Sequence, residues 1–389
     1  MSRRVAPKEV DFSSLKPLAI KGSSSTRTFV PSNGSTFDAV SNIVNIPLRS
    51  QGWLDAQHSY ISFTATLASA AASPLYFDGS PHALINRLRI LGPNGEELSR
   101  CDNYNTCQSA FSDFQASENH TSSHLNAMER CTTTPGLPPV AAPAAYNCSL
   151  KLMNGLLTSD KYLPLGFLQG GLTIELTLAP YADALYQPGA VDGTYSVSDV
   201  KYHGVIVNCD TGFNEAFQSL LDARGGVQWH GTVVRSYSSN TAGGSQNASV
   251  SVASRLKSMK SLFTVLRPNN QFSISECTQC QRSLLGMNSY LVHVGAKTFP
   301  QQPLTNGTEM YAETVKSLMP LGDTQSANRI NYLRYNNAVY TGGEAGEAAT
   351  CTQGFVGQDF EVFAQSNSVL ESGKNTAAQS LPITVEMGF

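Results

Sequence analysis

A mainly β protein built from two sandwiches is the fold class that this sequence predicts, and three observations carry it. Short runs of β-branched and aromatic residues, bounded by Gly, Pro, Asn and Ser, recur along the chain. Within those runs apolar residues alternate with polar ones, the period of a strand with one buried face. The length of 389 residues leaves room for two or three cores, and the spacing of the strands suits two sandwiches.

The chain opens with Arg3, Arg4, Lys8 and Glu9 and no apolar run behind them, so it does not read as a signal peptide. Residues 1–22 are read as an N-terminal arm. From Ala56 to Phe77 no Asp, Glu, Lys or Arg occurs, yet Ile61, Phe63, Ala65 and Leu67 alternate with Ser62, Thr64 and Thr66. That pattern predicts a strand over Tyr60 to Leu67 rather than a membrane span. A second strand follows over Ile85 to Leu91. Tyr104, Cys107, Phe111 and Phe114 then recur at helical spacing and predict a one-sided helix. The uncharged stretch from Thr132 to Leu150 holds Pro135, Pro138, Pro139 and Pro143 and reads as a loop. Leu172, Ile174, Leu176 and Leu178 line one face of the clearest strand, with Thr173, Glu175 and Thr177 on the other. Tyr195 to Val207 is the last strand of the first half.

Asn214 to Ala223 reads as a helix with Ala216, Phe217, Leu220 and Leu221 on one face, ended by Gly225 and Gly226. It is a natural joint between domains. In the second half the predicted strands are Gln228 to Tyr237, Ser261 to Leu266, Ser289 to Val294, Asp359 to Ala364 and Leu381 to Met387. Long loops are predicted over Thr132 to Ala145, Ser238 to Gln246 and Thr341 to Thr350, and loops of that length tend to serve function or contact. Arg89 to Asn94 and Thr264 to Asn269 both run a strand end into Pro-Asn, a faint echo compatible with duplication. The expected division is an arm over 1–22, a first sandwich over 23–212, a connecting helix and linker over 213–227, and a second sandwich over 228–389.

Lys and Arg number 26 and Asp and Glu 29, a net charge of -3, so no overall positive field holds a nucleic acid or an anionic membrane. Only 14% of residues are charged against a hydrophobic fraction of 41%, and Ser, Thr, Asn, Gln and Gly must cover the surface. Such a surface costs little to desolvate against another protein, which favours subunit contacts. The eight cysteines, Cys101, Cys107, Cys131, Cys148, Cys209, Cys277, Cys280 and Cys351, are scattered and read as reduced, mostly buried thiols. The sequons at Asn119 and Asn306 are expected to be unused.

Chemistry-bearing patterns are thin. His120 and His124 have zinc spacing, but Thr121 stands where the HExxH motif needs its general base. Cys277 and Cys280 have no second CxxC to complete a zinc site and no βαβ setting for redox work. Gly295, Lys297 and Thr298 imitate the tail of a phosphate loop, but Lys297 does not follow a glycine and Tyr290 replaces the upstream one. Glu96 with Glu97, and Asp359 with Glu361, are acidic pairs of the kind glycosidases need. In a strand, Asp359 and Glu361 share a face with Phe363, which suits an interface or turn better than catalysis. No Gly-x-Ser-x-Gly elbow occurs. Arg3, Arg4 and Lys8 supply a small, salt-sensitive positive end.

The order of segments carries a resemblance. Trp53 to Phe63 with its Asp55, Ser59 and Tyr60, then Ile85 to Leu98 around Asn94 and Gly95, then Asp102 to Asn105, resemble the first sandwich of double jelly-roll major capsid proteins. Virophages, Polinton-like viruses and tailless membrane-containing bacteriophages carry that family. Lys161 to Leu168 and Leu172 to Leu178 are similar to its late strands. The similarity is concentrated before Asn208, and the second half matches in length and texture. The resemblance implies a double jelly roll with a few short helices, two sandwiches side by side, and a homotrimer with a pseudo-hexagonal outline.

The reading reached from sequence is a structural major capsid subunit of an icosahedral virion, not an enzyme, with no catalytic, cofactor-binding or metal residue. Its expected partners are its own copies and neighbouring capsomers, with penton and minor capsid proteins and an internal membrane as further possibilities, and no sequence-specific nucleic acid. It is expected in the virion, made in the host cytoplasm or nucleus and not secreted. Two rivals stand beside it. One is a capsid protein with a single jelly roll and a projecting domain. The other is a carbohydrate-binding or carbohydrate-cleaving sandwich with Trp53 and Trp229 as sugar platforms and Asp359 or Glu361 as acids.

Overall fold

A computed structural model describes residues 21–70, 75–115, 126–129, 144–159, 161–187, 189–227, 229, 231–242, 244–267, 274–275, 279, 282, 284–318, 330, 335, 354–362, 372–377 and 382–389. In the first half the strands are β1 (Gly22–Phe29), β2 (Thr36–Phe37), β3 (Ile43–Leu48), β4 (Trp53–Ala68), β5 (Tyr76–Phe77), β6 (Ile85–Leu91), β7 (Glu97–Asp102), β8 (Ala144–Leu150), β9 (Leu172–Leu178), β10 (Leu185–Tyr186) and β11 (Thr194–Cys209). Helix α1 (Tyr104–Gln115) follows β7, with short helices α2 (Asn126–Glu129) and α3 (Tyr181–Ala184) further on. Helix α4 (Thr211–Arg224) leads to the second half, where β12 (Asn247–Val252), β13 (Ser261–Thr264), β14 (Ser289–Val294), β15 (Lys297–Leu304), helix α5 (Gly307–Leu318), β16 (Val356–Asp359) and β17 (Ile383–Gly388) follow.

Two four-strand orders, β1-β11-β4-β8 and β3-β9-β6-β7, make the first sandwich, every pairing antiparallel. Alternation decides which faces meet. Ile61, Phe63, Ala65 and Leu67 of β4 and Leu172, Ile174, Leu176 and Leu178 of β9 are all buried, each contributing about 1.5–3 kcal/mol if fully removed from water. In β11 the buried set changes phase, from Tyr195 and Val197 to Val200, Tyr202 and Ile206. One extra residue between Ser198 and Lys201 causes the change, where Asp199 turns to a φ of 52°.

A larger irregularity in β4 explains Asp55, Ser59 and Tyr60. Between Asp55 and Tyr60 the strand carries more residues than its partner β11. The Asp55 carboxylate contacts the His58 imidazole at 2.8 Å and accepts from the His58 amide. Ser59 donates to the Asp55 carbonyl at 2.6 Å and accepts from the Val205 amide at 3.0 Å. The spacing therefore builds a bulge whose polar groups are satisfied by its own side chains.

The second half repeats the wiring. Its first strand β12 pairs the last strand β17, which pairs β14, as β1 pairs β11 and β11 pairs β4. β13 pairs the penultimate strand β16, as β3 pairs β9. By this wiring β13 corresponds to β3 and not to β6, so the Arg89 and Thr264 segments are not equivalent and their echo is shared strand-end composition.

Several sequence expectations are corrected. Residues 231–237 belong to no ladder; their neighbours include the Gly155 loop and the Asp102 carbonyl, to which Ser236 donates. The strand expected over Asp359 to Ala364 lies earlier, at Val356–Asp359, and Glu361 stands beyond it. Residues 144–150, read as loop, form β8 against β4; their Ala and Cys side chains are small enough to hide the alternation. Pro135 to Pro143, His120, His124, Cys277, Cys280, Pro268, Asn269, Phe363, Thr341 to Thr350 and the Arg3, Arg4 and Lys8 end lie outside the described residues.

Two apolar clusters form the interior. The first fills the sandwich between β1 and β11, and the second gathers Tyr290, Val292, Val294, Phe355, Ile383 and Val385. Helix α1 spans both: Tyr104 belongs to the first cluster, and Ala110, Phe111 and Phe114 belong to the second.

Candidate functional site

Two features of this architecture bear on what it can do, the joint between the sandwiches and the faces they present outward. The joint is polar and buried. Asp113 on α1 and Arg282 from the second half form an ion pair in which both side chains are fully buried. Arg282 also donates to Ser109 of α1 at 2.8 Å and to the Gln279 carbonyl. The Gln279 amide donates to the Asp78 carboxylate at 2.7 Å, and its side chain joins Thr106 at 2.8 Å and Asp183 at 3.0 Å. Arg267, just past β13, reaches the same Asp183 at 2.5 Å. Three carboxylates of the first sandwich thus meet two guanidiniums and an amide of the second. Buried charges persist only when paired and hydrogen-bonded, and removing one partner of such a pair costs far more than the intact pair contributes.

Ile274 strengthens the joint from the same segment. It is buried in the first cluster, and its carbonyl accepts from the Gln187 amide at 2.6 Å. Beside the joint opens a cleft of about 2150 Å³, walled by Thr106, Cys107 and Phe111 on one side and by Val234, Leu262 and Arg267 on the other.

Outward, the sheet β3-β9-β6-β7 carries its charges in pairs. Arg89 meets Glu97 at 2.9 Å and Glu175 at 2.8 Å, Arg87 meets Asp102 at 2.9 Å, and Arg100 meets Asp102 at 2.7 Å. Glu97 is thus part of a surface ladder, while Glu96 caps the β6–β7 hairpin through the Asn94 amide at 2.9 Å. The edge strand β1, from Gly22 to Thr28, is exposed throughout and apart from Arg27 uncharged.

The remaining sequence candidates fall into structural roles. The Trp53 indole donates to Asn214 at 3.2 Å and packs on Phe167, Phe213 and Phe217, which fastens α4 to the first sandwich. Trp229 packs against the first cluster, and a Cβ on Gly231 would meet its ring at 2.5 Å. The Trp53 indole is thus enclosed by aromatic rings, whereas Trp229 lines the cleft beside the joint. Glu361, nearly buried, accepts from Lys260 at 3.2 Å and Ser372 at 2.8 Å. Asp359 accepts from the Glu361 amide at 2.9 Å, and burial raises its pKa. Neither acid lines the cleft. Gly295 is the turn of the β14–β15 hairpin at a φ of 62°. Among the described residues no three His, Cys, Asp or Glu side chains are grouped to hold a metal ion.

Ser62 and His203, on adjacent strands β4 and β11, meet at 2.8 Å, a nucleophile-and-base distance that the sequence did not disclose. Tyr60 stacks on the imidazole at 4.8 Å, and neither Ser62 nor His203 lines the cleft. Burial first, then Lys201, lowers the His203 pKa. The unfolded chain therefore takes up the proton more readily, and the associated stability is present above about pH 6.5 and is lost as pH falls from there through the lower folded-state pKa. The expected result is a larger fall in melting temperature between about pH 7.5 and about pH 5.5 for the natural chain than for His203→Gln, read by thermal unfolding.

The joint residues Asp78, Asp113, Asp183, Arg267, Gln279 and Arg282 were not singled out from sequence. No local signal marks them, because each partner lies at least 84 residues away across the joint.

Two sandwiches wired alike, with first strand beside last and last beside a middle one, define the double jelly roll, and the chain has that fold. Solved structures agree. VP54 of PBCV-1, fitted into a reconstruction of the virophage Sputnik, superposes with a TM-score of 0.57 over 97% of this chain and 86% of its own, at 12% identity. A chain of the Sputnik virophage particle gives 0.51 over 100% and 86%, at 11% identity. The Faustovirus major capsid protein gives 0.51 over 97% and 91%, at 9% identity. No family model and no curated protein matches the sequence.

Proposed function

We propose that this chain is the major capsid subunit of an icosahedral virus and that three copies form a pseudo-hexameric capsomer. The observation that carries the proposal is the pair of similarly wired jelly rolls locked by a buried ionic joint. Two such units per chain, held at one angle, give six near-equivalent sandwiches in a trimer, a block from which a closed shell is assembled with few kinds of part. The Faustovirus neighbour is by its own description a major capsid protein, and its fold runs through nearly the whole of this chain. Charges tied up in pairs and an exposed Ser- and Thr-rich edge strand suit faces that are buried against other copies.

The division proposed from sequence goes with this reading: an arm over 1–22, sandwiches over 23–212 and 228–389, and a connecting helix and linker over 213–227. Strands β2 to β11 lie in the first of those spans and β12 to β17 in the second, while β1 begins one residue earlier, at Gly22. The proposed role is structural rather than catalytic, in the virion, with penton and minor capsid proteins as further partners and the basic end turned inward toward an internal membrane.

Purified protein is expected to scatter light as three times the 41.7 kDa chain, to show hexagonal outlines in negative stain, and to hold together at about 1 M salt because its faces rely little on exposed ion pairs. A monomer that binds glycans in an array would overturn the reading in favour of the carbohydrate-binding sandwich.

A further inference from the structure

The second sandwich is less completely closed than the first. By wiring β13 corresponds to β3, yet Val44, Ile46 and Leu48 of β3 are fully buried whereas Leu262 and Phe263 of β13 are only half-buried. In β12, Val250 and Val252 stay partly exposed although Val385 and Met387 of its partner β17 are buried. Those last six side chains, from β12, β13 and β17, line the cleft beside the joint, and Phe111 of α1 lines it with them. Contiguous apolar surface left open in this way marks a place that something covers.

Size, polarity and charge narrow down what covers it. The cleft holds about 2150 Å³, roughly twice the upper end of the about 300–1,000 Å³ usual for a compact small-molecule site, so an elongated occupant fits better. Its buried lining is apolar apart from Thr106 and Ser254, while Ser238, Asn240, Thr241 and Ser245 of its lining are exposed. Among the described residues, four basic side chains line it, Arg235, Lys257, Lys260 and Arg267, against one acid, Asp183. That local excess of positive charge stands in a chain whose net charge is -3. Lys260 and Arg267 are paired with Glu361 and Asp183, and Arg235 and Lys257 are exposed at the rim. A suitable occupant therefore has a long apolar part and an anionic end. A peptide fits less well, because β12, β13 and β17 offer it side chains of one face, which leave its amides and carbonyls without partners.

We propose that this cleft binds an acyl-chain lipid with an anionic head group. The chains lie against Val250, Val252, Leu262 and Met387, and the head group sits at the rim against Arg235 and Lys257. Acyl chains need no hydrogen bonds, so they complete the second core without stranding a polar group. The inference does not depend on the capsid proposal: a monomer that takes up lipid would overturn that proposal and leave this one standing.

The test uses the full chain stripped of lipid and mixed with detergent-solubilised phosphatidylglycerol, or with phosphatidylcholine carrying the same chains, and reads bound lipid by native mass spectrometry. Phosphatidylglycerol is expected to stay bound and to reach half-saturation at a concentration about tenfold lower than phosphatidylcholine. Glycerol 3-phosphate, a head group without chains, is expected not to bind. Location is read from Trp229, which lines the cleft while Trp53 does not. Phosphatidylglycerol with brominated chains is expected to quench tryptophan fluorescence in the natural chain and not in Trp229→Phe, to which lipid still binds. Arg235→Gln with Lys257→Gln is expected to remove the preference for the anionic lipid at an unchanged melting temperature, since both side chains are exposed. Val250→Phe, which fills part of the cleft, is expected to take up less of either lipid. No lipid-bound species from the natural chain, equal binding of the two lipids, or quenching that persists in Trp229→Phe overturns the proposal. The first two of these outcomes need no variant and stand even if a substitution disturbs folding.

Discussion

Replacing Arg282 by Met is expected to destabilise the protein by about 3–5 kcal/mol, because it leaves a buried carboxylate without its counter-charge. Asp113 is fully buried on α1, so water cannot take over from the guanidinium without opening the joint. Ser109 and the Gln279 carbonyl lose a donor at the same time. Asp113→Ala is expected to cost a similar amount for the opposite reason, a buried guanidinium left without its counter-charge. Replacing both, Asp113→Leu with Arg282→Met, is expected to recover most of the loss, since an apolar pair of similar volume strands neither charge. Denaturant unfolding of the four proteins closes the double-mutant cycle. If the single variants unfold in two steps while the natural chain unfolds in one, the pair couples the sandwiches as well as stabilising them. Losses of less than about 1 kcal/mol in both single variants would show that the joint is wet and that other contacts set the angle.

How much of this was legible in the sequence follows from how locally each feature is encoded. Strands β4, β6, β9, β11 and β14 were found because each buries one face and writes that burial as alternation. Helix α4 was found because its amphipathic stripe ends at Gly225, which takes the left-handed turn at a φ of 69°. Strand β1 was missed because it is an edge strand exposed on both faces, so its Ser and Thr residues have nothing to alternate against. β3 contains Pro47 and lies at a sheet edge, where a missing donor is tolerated.

Helix α5 was missed for two reasons. Its start was read as a sequon, yet Asn306 accepts from the Glu309 amide at 2.9 Å while Glu309 reaches back to the Thr305 amide at 3.0 Å, a close variant of a capping box. Its buried face also includes Thr314 and Ser317, whose hydroxyls donate to the carbonyls of Met310 and Thr314 at 2.7 Å. A hydrogen-bonded polar residue is as buried as a leucine but carries no hydrophobic signal. The joint was illegible for a different reason. Its charges look like ordinary surface charges until a second sandwich is laid over them, and only the three-dimensional fold does that.

The sharing of α1 between two cores leads to the second large effect. Phe114→Ala is expected to cost about 3–5 kcal/mol, the range for deleting a buried aromatic ring from a packed interior. The ring is fully buried and meets Phe355 at 4.9 Å, Tyr311 at 5.9 Å and Tyr335 at 6.3 Å, all from the second half of the chain. Sequence position alone would place the damage in the first sandwich, because the helix follows β7 and precedes β8. The packing places it in the second, where the cavity would open against α5 and the segment entering β16. Hydrogen exchange separates the two outcomes: protection is expected to fall in β14 and β17 before it falls in β4, β9 and β11. Equal loss in both sets would mean that the sandwiches unfold as one unit whatever the site of damage. Loss confined to the first set would contradict the assignment of Phe114 to the second core.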